Sequence, residues 1–285
     1  MASLLIVGCG YLGRTLARGA VQDGWTVWGM RRSPSAADAI RKTGAQPIIA
    51  DIRESPEAKA LPNADYTVCA LAPARGENYE RVYVDGAKAL ARALRERPPK
   101  RLVWVSSTSV YGHSDGNWID ERTPAYPRAD SAKRLLEAEQ VILASGLSAI
   151  VLRLAGIYGP SRTRTELLHR ASPSIYADGY VNQIHVEDAA GMLRLLLERG
   201  LAGEIYLGVD DEPVLRREFY PWLAERAGIV YPQPPTDLPA PREASSKRCS
   251  NAKIKALGYS LIYPGWREGF EAALAQDASN RAPEE

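Results

Sequence analysis

At 285 residues with 45% hydrophobic content, the chain can bury a sizeable core, which excludes global disorder and leaves one large α/β domain or one domain with a smaller appendage. Against 34 acidic residues stand 36 basic ones, a formal charge of +2 that calls for neither nucleic acid nor an anionic membrane, so the expected partner is a small-molecule substrate. Cys9, Cys69 and Cys249 are widely spaced and fit neither a disulfide framework nor a metal site, no stretch reaches the ~20 apolar residues of a membrane span, and the start lacks the flank and length of a signal peptide, which together predict a cytoplasmic, metal-free protein of open oligomeric state.

The first predicted element is a strand at Leu4 to Val7. It runs into Gly8-Cys9-Gly10-Tyr11-Leu12-Gly13, after which Leu12, Leu16 and Ala20 share one face of a helix at four-residue spacing. In such a strand–turn–helix, Gly8 allows the tight turn, Gly10 admits a pyrophosphate close to the backbone and Gly13 lets the helix pack on the sheet. The helix N-terminus attracts the negative charge, so the turn is read as a dinucleotide site rather than an ordinary connection. Asp23-Gly24 ends the helix, and Trp25 to Gly29 is the second strand. After it comes Met30-Arg31-Arg32-Ser33, with no carboxylate until Asp38. An acid there would take the ribose hydroxyls of NAD, whereas planar guanidinium groups match a 2′-phosphate. Arg31 and Arg32 therefore predict NADP, with NAD possible; the competing reading is a solvated basic turn.

Further strands are expected at Pro47 to Ala50, Tyr66 to Ala70, Leu102 to Ser106, Ala149 to Leu154 and Ile205 to Leu207. A helix face formed by Tyr79, Val82, Tyr83, Gly86, Ala87, Leu90 and Leu94 is stopped by Pro98-Pro99. Alternation of this kind predicts a doubly wound parallel sheet covered on both faces, a Rossmann fold. The cofactor part is placed at residues 1–160 and a smaller, mixed substrate-binding part at 161–285, some of whose segments return to the main sheet. The proline-rich Tyr231 to Pro241 reads as a surface loop, and the polar residues after Gln276 as a frayed end.

Joined to Ser106-Ser107-Thr108-Ser109-Val110-Tyr111-Gly112, Leu152-Arg153-Leu154-Ala155-Gly156-Ile157-Tyr158-Gly159-Pro160 and Ile184-His185-Val186-Glu187-Asp188, the glycine turn resembles the extended short-chain dehydrogenase/reductase family, which includes NAD-dependent epimerases and dehydratases of nucleotide sugars. The resemblance covers nearly the whole chain. It implies that Asp51 and Ile52 lie against the adenine, that Ala70, Leu71 and Ala72 line the cofactor groove, and that Tyr11 and Leu12 belong to the cofactor turn. By the same likeness Ser107 polarises a substrate oxygen and Lys133 binds the nicotinamide ribose.

Two departures stand out. The family's acid/base tyrosine lies four residues before its lysine, where this chain has Ala129, and Glu137, four residues after Lys133, supports that register. Gly156 stands where many nucleotide-sugar enzymes have an asparagine that contacts the substrate diphosphate. Tyr111, whose motif follows Ser107, and then Tyr126 are the substitute proton donors. More ordinary readings make Ser107 a strand end, pair Lys133 with Glu137 on a helix surface and leave His113, His169 and His185 structural, with Asp188 as cap or dipole partner of a following helix. The expected function is an NADP(H)-dependent oxidoreductase of the epimerase/dehydratase type acting on a small carbonyl, alcohol or sugar-derived compound; the alternative is a non-catalytic NADP(H)-binding sensor or scaffold.

Overall fold

The computed structural model describes residues 1–54, 61–234 and 246–280. In chain order its first elements are β1 (Ser3–Val7), α1 (Tyr11–Gln22), β2 (Thr26–Arg31), α2 (Ala37–Arg41), β3 (Gln46–Ile49), β4 (Tyr66–Cys69), α3 (Gly86–Leu94) and β5 (Arg101–Ser107). The middle of the chain gives β6 (Trp118–Ile119), α4 (Asp130–Leu143), β7 (Ala149–Leu154), β8 (Gly156–Tyr158), α5 (Thr165–His169), β9 (Tyr180–Val181), β10 (Gln183–His185) and α6 (Val186–Arg199). It closes with β11 (Ile205–Gly208), β12 (Val214–Leu215), α7 (Arg216–Arg226), β13 (Arg248–Cys249), α8 (Ala252–Ala256) and α9 (Trp266–Ser279).

Seven parallel strands form one sheet in the order β11-β7-β5-β4-β1-β2-β3. Its centre is apolar on both faces, as β1 illustrates. Leu4 and Ile6 pack with Leu12 and Leu16 of α1 and with Leu193 and Leu197 of α6, whereas Leu5 and Val7 pack with Leu90 of α3 and Ile142 of α4. The two-residue alternation of a strand thus feeds two separate cores, and this is why a continuous apolar run marks a buried parallel strand. β11, from beyond residue 160, pairs with β7 at the sheet's edge.

Strand order reverses between β1 and β4, which opens a crevice at the carboxyl edge of the sheet. A third cluster, built on Phe219, Tyr220, Trp266 and Phe270 with Tyr158, sits beside this edge. Two local expectations change. The run from Tyr79 to Leu94 is not one α-helix, since a π-helical turn at Arg81–Asp85 precedes α3. The chain after Gln276 is not frayed at once, because α9 extends to Ser279 with Phe270 and Ala273 buried. Part of the expected proline-rich loop lies outside the described residues.

Candidate active site and cofactor cleft

At the crevice Gly8 has φ +89°, and a Cβ there would lie 2.7 Å from the Ala70 carbonyl carbon, so the turns after β1 and β4 touch through a gap only glycine leaves. A Cβ on Gly13 would lie 3.1 Å from both the Gly8 carbonyl oxygen and Ile6 Cγ2, which fixes how closely α1 approaches the sheet. Over Gly10 the situation differs. A Cβ would meet only the tip of Arg31, with Nη1 at 2.8 Å, so the space is open to any ligand that displaces a flexible guanidinium. α1 begins here without a side-chain cap and without an acidic residue in its first turn. Its first N–H groups therefore point, unsatisfied, at the place a phosphate would take.

Beyond this turn lies a cavity of about 270 Å³ lined by Gly8, Arg31, Arg32, Asp51, Ile52, Ala70, Leu71 and Ala72. The fold thus gathers residues from the ends of four strands. Tyr11 and Leu12 do not line it: the Tyr11 hydroxyl donates to the Pro160 carbonyl at 2.9 Å, and Leu12 is buried in the core. Their backbone N–H groups stand in the first helical turn.

Two cations at the cavity rim are already engaged. Arg32 Nη2 donates to Glu77 Oε2 at 2.8 Å, and these charges with the Ala74 N–H hold the Glu77 carboxyl down at about 2. Arg53 Nε donates to Asp51 Oδ1 at 2.9 Å, which lowers the Asp51 carboxyl. Sequence reading missed Arg53 and Glu77 because neither belongs to a motif; both are found only when the loops after β3 and β4 come together.

Ser107 ends β5, half-buried, with its Oγ accepting from the Ser109 N–H at 3.1 Å. The same strand end carries an unanticipated buried network. Ser106 donates to Glu139, Arg153 Nη2 meets Glu139 Oε2 at 2.6 Å, and Arg153 Nη1 donates to the Tyr111 hydroxyl at 2.6 Å. Tyr111 is fully buried, and burial raises its hydroxyl above the ordinary tyrosine value. Its hydroxyl faces inward to Arg153, whereas the proton-donor expectation placed it toward a substrate. Tyr126 is 71% exposed, and its carbonyl accepts from the Gly112 N–H at 2.9 Å, so it lies beside the Ser107 motif with a solvent-accessible ring.

Ala129 is the N-cap of α4, and Lys133 lies in its first turn on the exposed side. α4 runs antiparallel to β5 and β7, so both residues stand at the carboxyl edge with Ser107. The inward face is Ala132, Leu135, Ala138, Glu139 and Ile142. Glu137 pairs with Arg134 at 3.0 Å rather than with Lys133. A second correction concerns α6. Its cap is His185, whose Nδ1 accepts from the Glu187 N–H at 3.3 Å, while buried Asp188 accepts from the Tyr259 hydroxyl and the N–H groups of Ile262 and Tyr263. At Gly156, the volume of a larger side chain is taken by the Arg164 guanidinium.

A glycine-lined turn opening an uncapped helix, at the switch point of a seven-stranded parallel sheet, fits a dinucleotide. The sequence model of the NAD dependent epimerase/dehydratase family matches residues 4–207. The chain belongs to this family. It is 31% identical over 272 residues to protein YeeZ of Escherichia coli K12, covering 93% of this chain and 97% of that one. A ketoreductase of Stigmatella aurantiaca, acting on 4-hydroxy-2-methyl-3-oxo-4-farnesyl-3,4-dihydroquinoline-1-oxide, is 30% identical over 249 residues, covering 80% and 74% of the two chains. The fold is that of UDP-glucuronic acid 4-epimerase from Bacillus cereus in complex with NAD, with TM-score 0.81 at 17% identity and coverage of 98% and 100%. Membership and relatives make the chain an NAD(P)-dependent oxidoreductase type of protein. Among the described residues no helix is long and apolar enough to cross a membrane, and no group of three His, Cys, Asp or Glu is arranged to hold a metal.

Proposed function

We propose that this epimerase/dehydratase-family protein is an NADP(H)-dependent oxidoreductase acting on a small carbonyl or alcohol compound. The observation that carries the reading is the cavity joining Gly8, the first glycine of the turn, to Arg31 and Arg32, with no carboxylate at the end of β2. The cofactor would lie with its phosphates on the first turn of α1, its adenine beside Asp51 and Ile52, and its nicotinamide end toward Ser107, past Ala70, Leu71 and Ala72. Bound there, it supplies or accepts hydride. Arg31 is the guanidinium placed to meet a 2′-phosphate, since Arg32 is held by Glu77. Residues 1–160 hold the cofactor, and 161–285 close over the substrate.

Ser107 orients the substrate oxygen, Lys133 the ribose, and Tyr126 takes the proton-donor role that Ala129 cannot fill. The second reading, a dinucleotide-binding sensor, is favoured by the same two features: alanine at the helix cap and an inward-facing Tyr111. Titration of NADPH and NADH, with cofactor turnover measured over a panel of aldehydes, ketones and alcohols, separates them. NADPH binding with turnover supports the oxidoreductase; tight NADPH binding without turnover across the panel selects the sensor. Failure to bind either dinucleotide would overturn both.

A further inference from the structure

We infer that Arg53 is a positioning residue of the cofactor cleft: it holds Asp51 as a fixed, ionised hydrogen-bond acceptor, and the site thereby selects a dinucleotide whose base carries an exocyclic amino group. The inference deepens the oxidoreductase reading and rests on its placement of the cofactor.

Three arginines, Arg31, Arg32 and Arg53, line the cavity, and they are held differently. Arg31 reaches over Gly10 beside the glycine turn, and Arg32 is bound to Glu77. Arg53 is matched by a carboxylate of its own turn. Its Nε donates to Asp51 Oδ1 at 2.9 Å and to Oδ2 at 3.1 Å, its Nη2 donates to Oδ2, and its backbone N–H donates to Oδ1 at 3.0 Å.

The local chain explains why the pair faces the cavity. Just after β3 the turn is closed by the Glu54 N–H, which donates to the Asp51 carbonyl at 3.0 Å. Ile52 anchors it by packing into the core cluster that contains Val7 and Met30, while Asp51 and Arg53 on either side line the cavity. Their side chains are only 13% and 12% exposed, so the pair is not an ordinary solvent-screened surface contact. A guanidinium fork of this kind fixes orientation as well as charge.

Hydrogen bonds from Arg53 hold the Asp51 carboxyl below the usual carboxylate range, with the charge of Arg32 adding to the effect. Asp51 is therefore ionised at neutral pH and can only accept. Three N–H groups of Arg53 already use its oxygens, against the roughly four lone-pair sites of a carboxylate, so about one acceptor position is left for a ligand.

Strand order says what meets it. With the phosphates on the turn after β1, the ribose comes to the end of β2, and β3 is the next strand outward. The base thus reaches the end of β3. Adenine offers an amino donor on its ring edge, whereas hypoxanthine has a carbonyl oxygen at the same place, which would face the carboxylate with no proton between them. A polar mismatch of this kind costs more than a missing contact.

The test is fluorescence titration of the full-length protein with NADPH, NADH and the two corresponding reduced hypoxanthine dinucleotides. The wild type should bind each adenine form about tenfold or more tightly than its hypoxanthine counterpart. Arg53→Met should weaken NADPH and NADH by the same factor and diminish the preference for adenine. Arg53→Lys, which keeps the charge without the fork, should restore that preference only in part. Asp51→Asn, which presents an N–H as well as an oxygen, should also lose the preference, and it decides the matter if circular dichroism shows that Arg53→Met does not fold. A merely structural role would lower all four affinities alike and leave the preference intact, which would overturn the inference. A loss in Arg53→Met confined to NADPH would overturn it too, by making Arg53 a 2′-phosphate contact. Equal wild-type affinity for the two bases would remove this inference alone; failure to bind any of the four dinucleotides would remove the cofactor reading and the inference together.

Discussion

Arg153 Nη1 donates to the Tyr111 hydroxyl at 2.6 Å, and the guanidinium also stands 4.8 Å over the centre of the Tyr111 ring. The other edge of Arg153 holds Glu139, both side chains being almost completely buried. The tyrosine nearest Ser107 in its motif is therefore part of a sealed ion-pair network that supports the end of β5 from below. Tyr111→Phe leaves a buried charged donor unmatched and should cost roughly 1–3 kcal/mol of stability, while Glu139→Gln, which uncovers the charge of Arg153, should cost roughly 3–5 kcal/mol. Urea unfolding measures both. Turnover per folded molecule should not change in Tyr111→Phe; a selective loss of rate at normal stability would return Tyr111 to the chemistry.

Cofactor choice should depend on Arg31 more than on Arg32. Arg31 reaches over Gly10 with its Nη1, whereas Arg32 is bound to Glu77. Loss of a charge-assisted contact of about 1.5–3 kcal/mol is an affinity change on the order of tenfold or more, so Arg31→Ala should weaken NADPH by that factor and leave NADH almost unchanged. Arg32→Ala should act less. Glu77→Gln, by freeing Arg32, should tighten NADPH. Fluorescence titration of both dinucleotides decides, and a wild-type preference for NADH would refute the assignment of Arg31.

The glycines at 8 and 10 should fail differently. A side chain at Gly8 meets the Ala70 backbone and a left-handed φ, so Gly8→Val should destabilise the fold itself. At Gly10 the only obstacle is the movable tip of Arg31, so Gly10→Val should keep its circular dichroism spectrum and melting temperature within a few degrees while cofactor binding disappears. Normal cofactor affinity in folded Gly10→Val would place the phosphates away from this turn.

What could be read in advance follows from how local each cause is. The central strands were legible because each is a run of residues buried on both faces, and the glycine turn because its spacing is contiguous in sequence. Strands of two or three residues, such as β8, β10 and β13, carry no periodicity and form only where distant segments meet. Glu137 looked significant through its spacing from Lys133, yet the helix buries 132, 135, 138, 139 and 142, and tracing that apolar face would have singled out Glu139. Arg164 had no such signal, since its place over Gly156 depends on a left-handed backbone and on the absence of a side chain there.

Acid sensitivity should be traceable to His185. Its ring is 3% exposed, packed 4.2 Å from the Tyr263 ring centre, and burial lowers its pKa from 6.5 to about 4. Its Nδ1 must stay unprotonated to accept from the Glu187 N–H at the start of α6. Because the folded value is the lower one, the unfolded chain takes up the proton first, and the contribution is complete above pH ~6.5 and lost as pH falls toward 4. A shift of this size corresponds to about 3 kcal/mol. His185→Asn retains a capping acceptor without titrating, so it should flatten the stability profile between pH 6.5 and 4. Chemical unfolding at stepped pH tests this; parallel profiles for variant and wild type would exclude His185 as the source.

The proton-transfer role predicted for Tyr126 is open to a direct comparison. Hydride transfer to a carbonyl leaves an alkoxide, and a positioned acid is worth about 10²- to 10⁴-fold in rate. Ala129 at the α4 cap has no proton to give, and Tyr111 is enclosed with Arg153, which leaves Tyr126 as the exposed tyrosine of this loop and Lys133 in the first turn of α4. If Tyr126 donates, Tyr126→Phe should lower turnover by about 10²-fold or more with unchanged NADPH affinity. Lys133→Met should instead weaken cofactor binding, the outcome expected of a ribose contact. Should both variants turn over a substrate at the wild-type rate, the proton comes from the substrate or from water, and Ser107→Ala then becomes the variant that retains a large effect, because only the oxygen-polarising role remains.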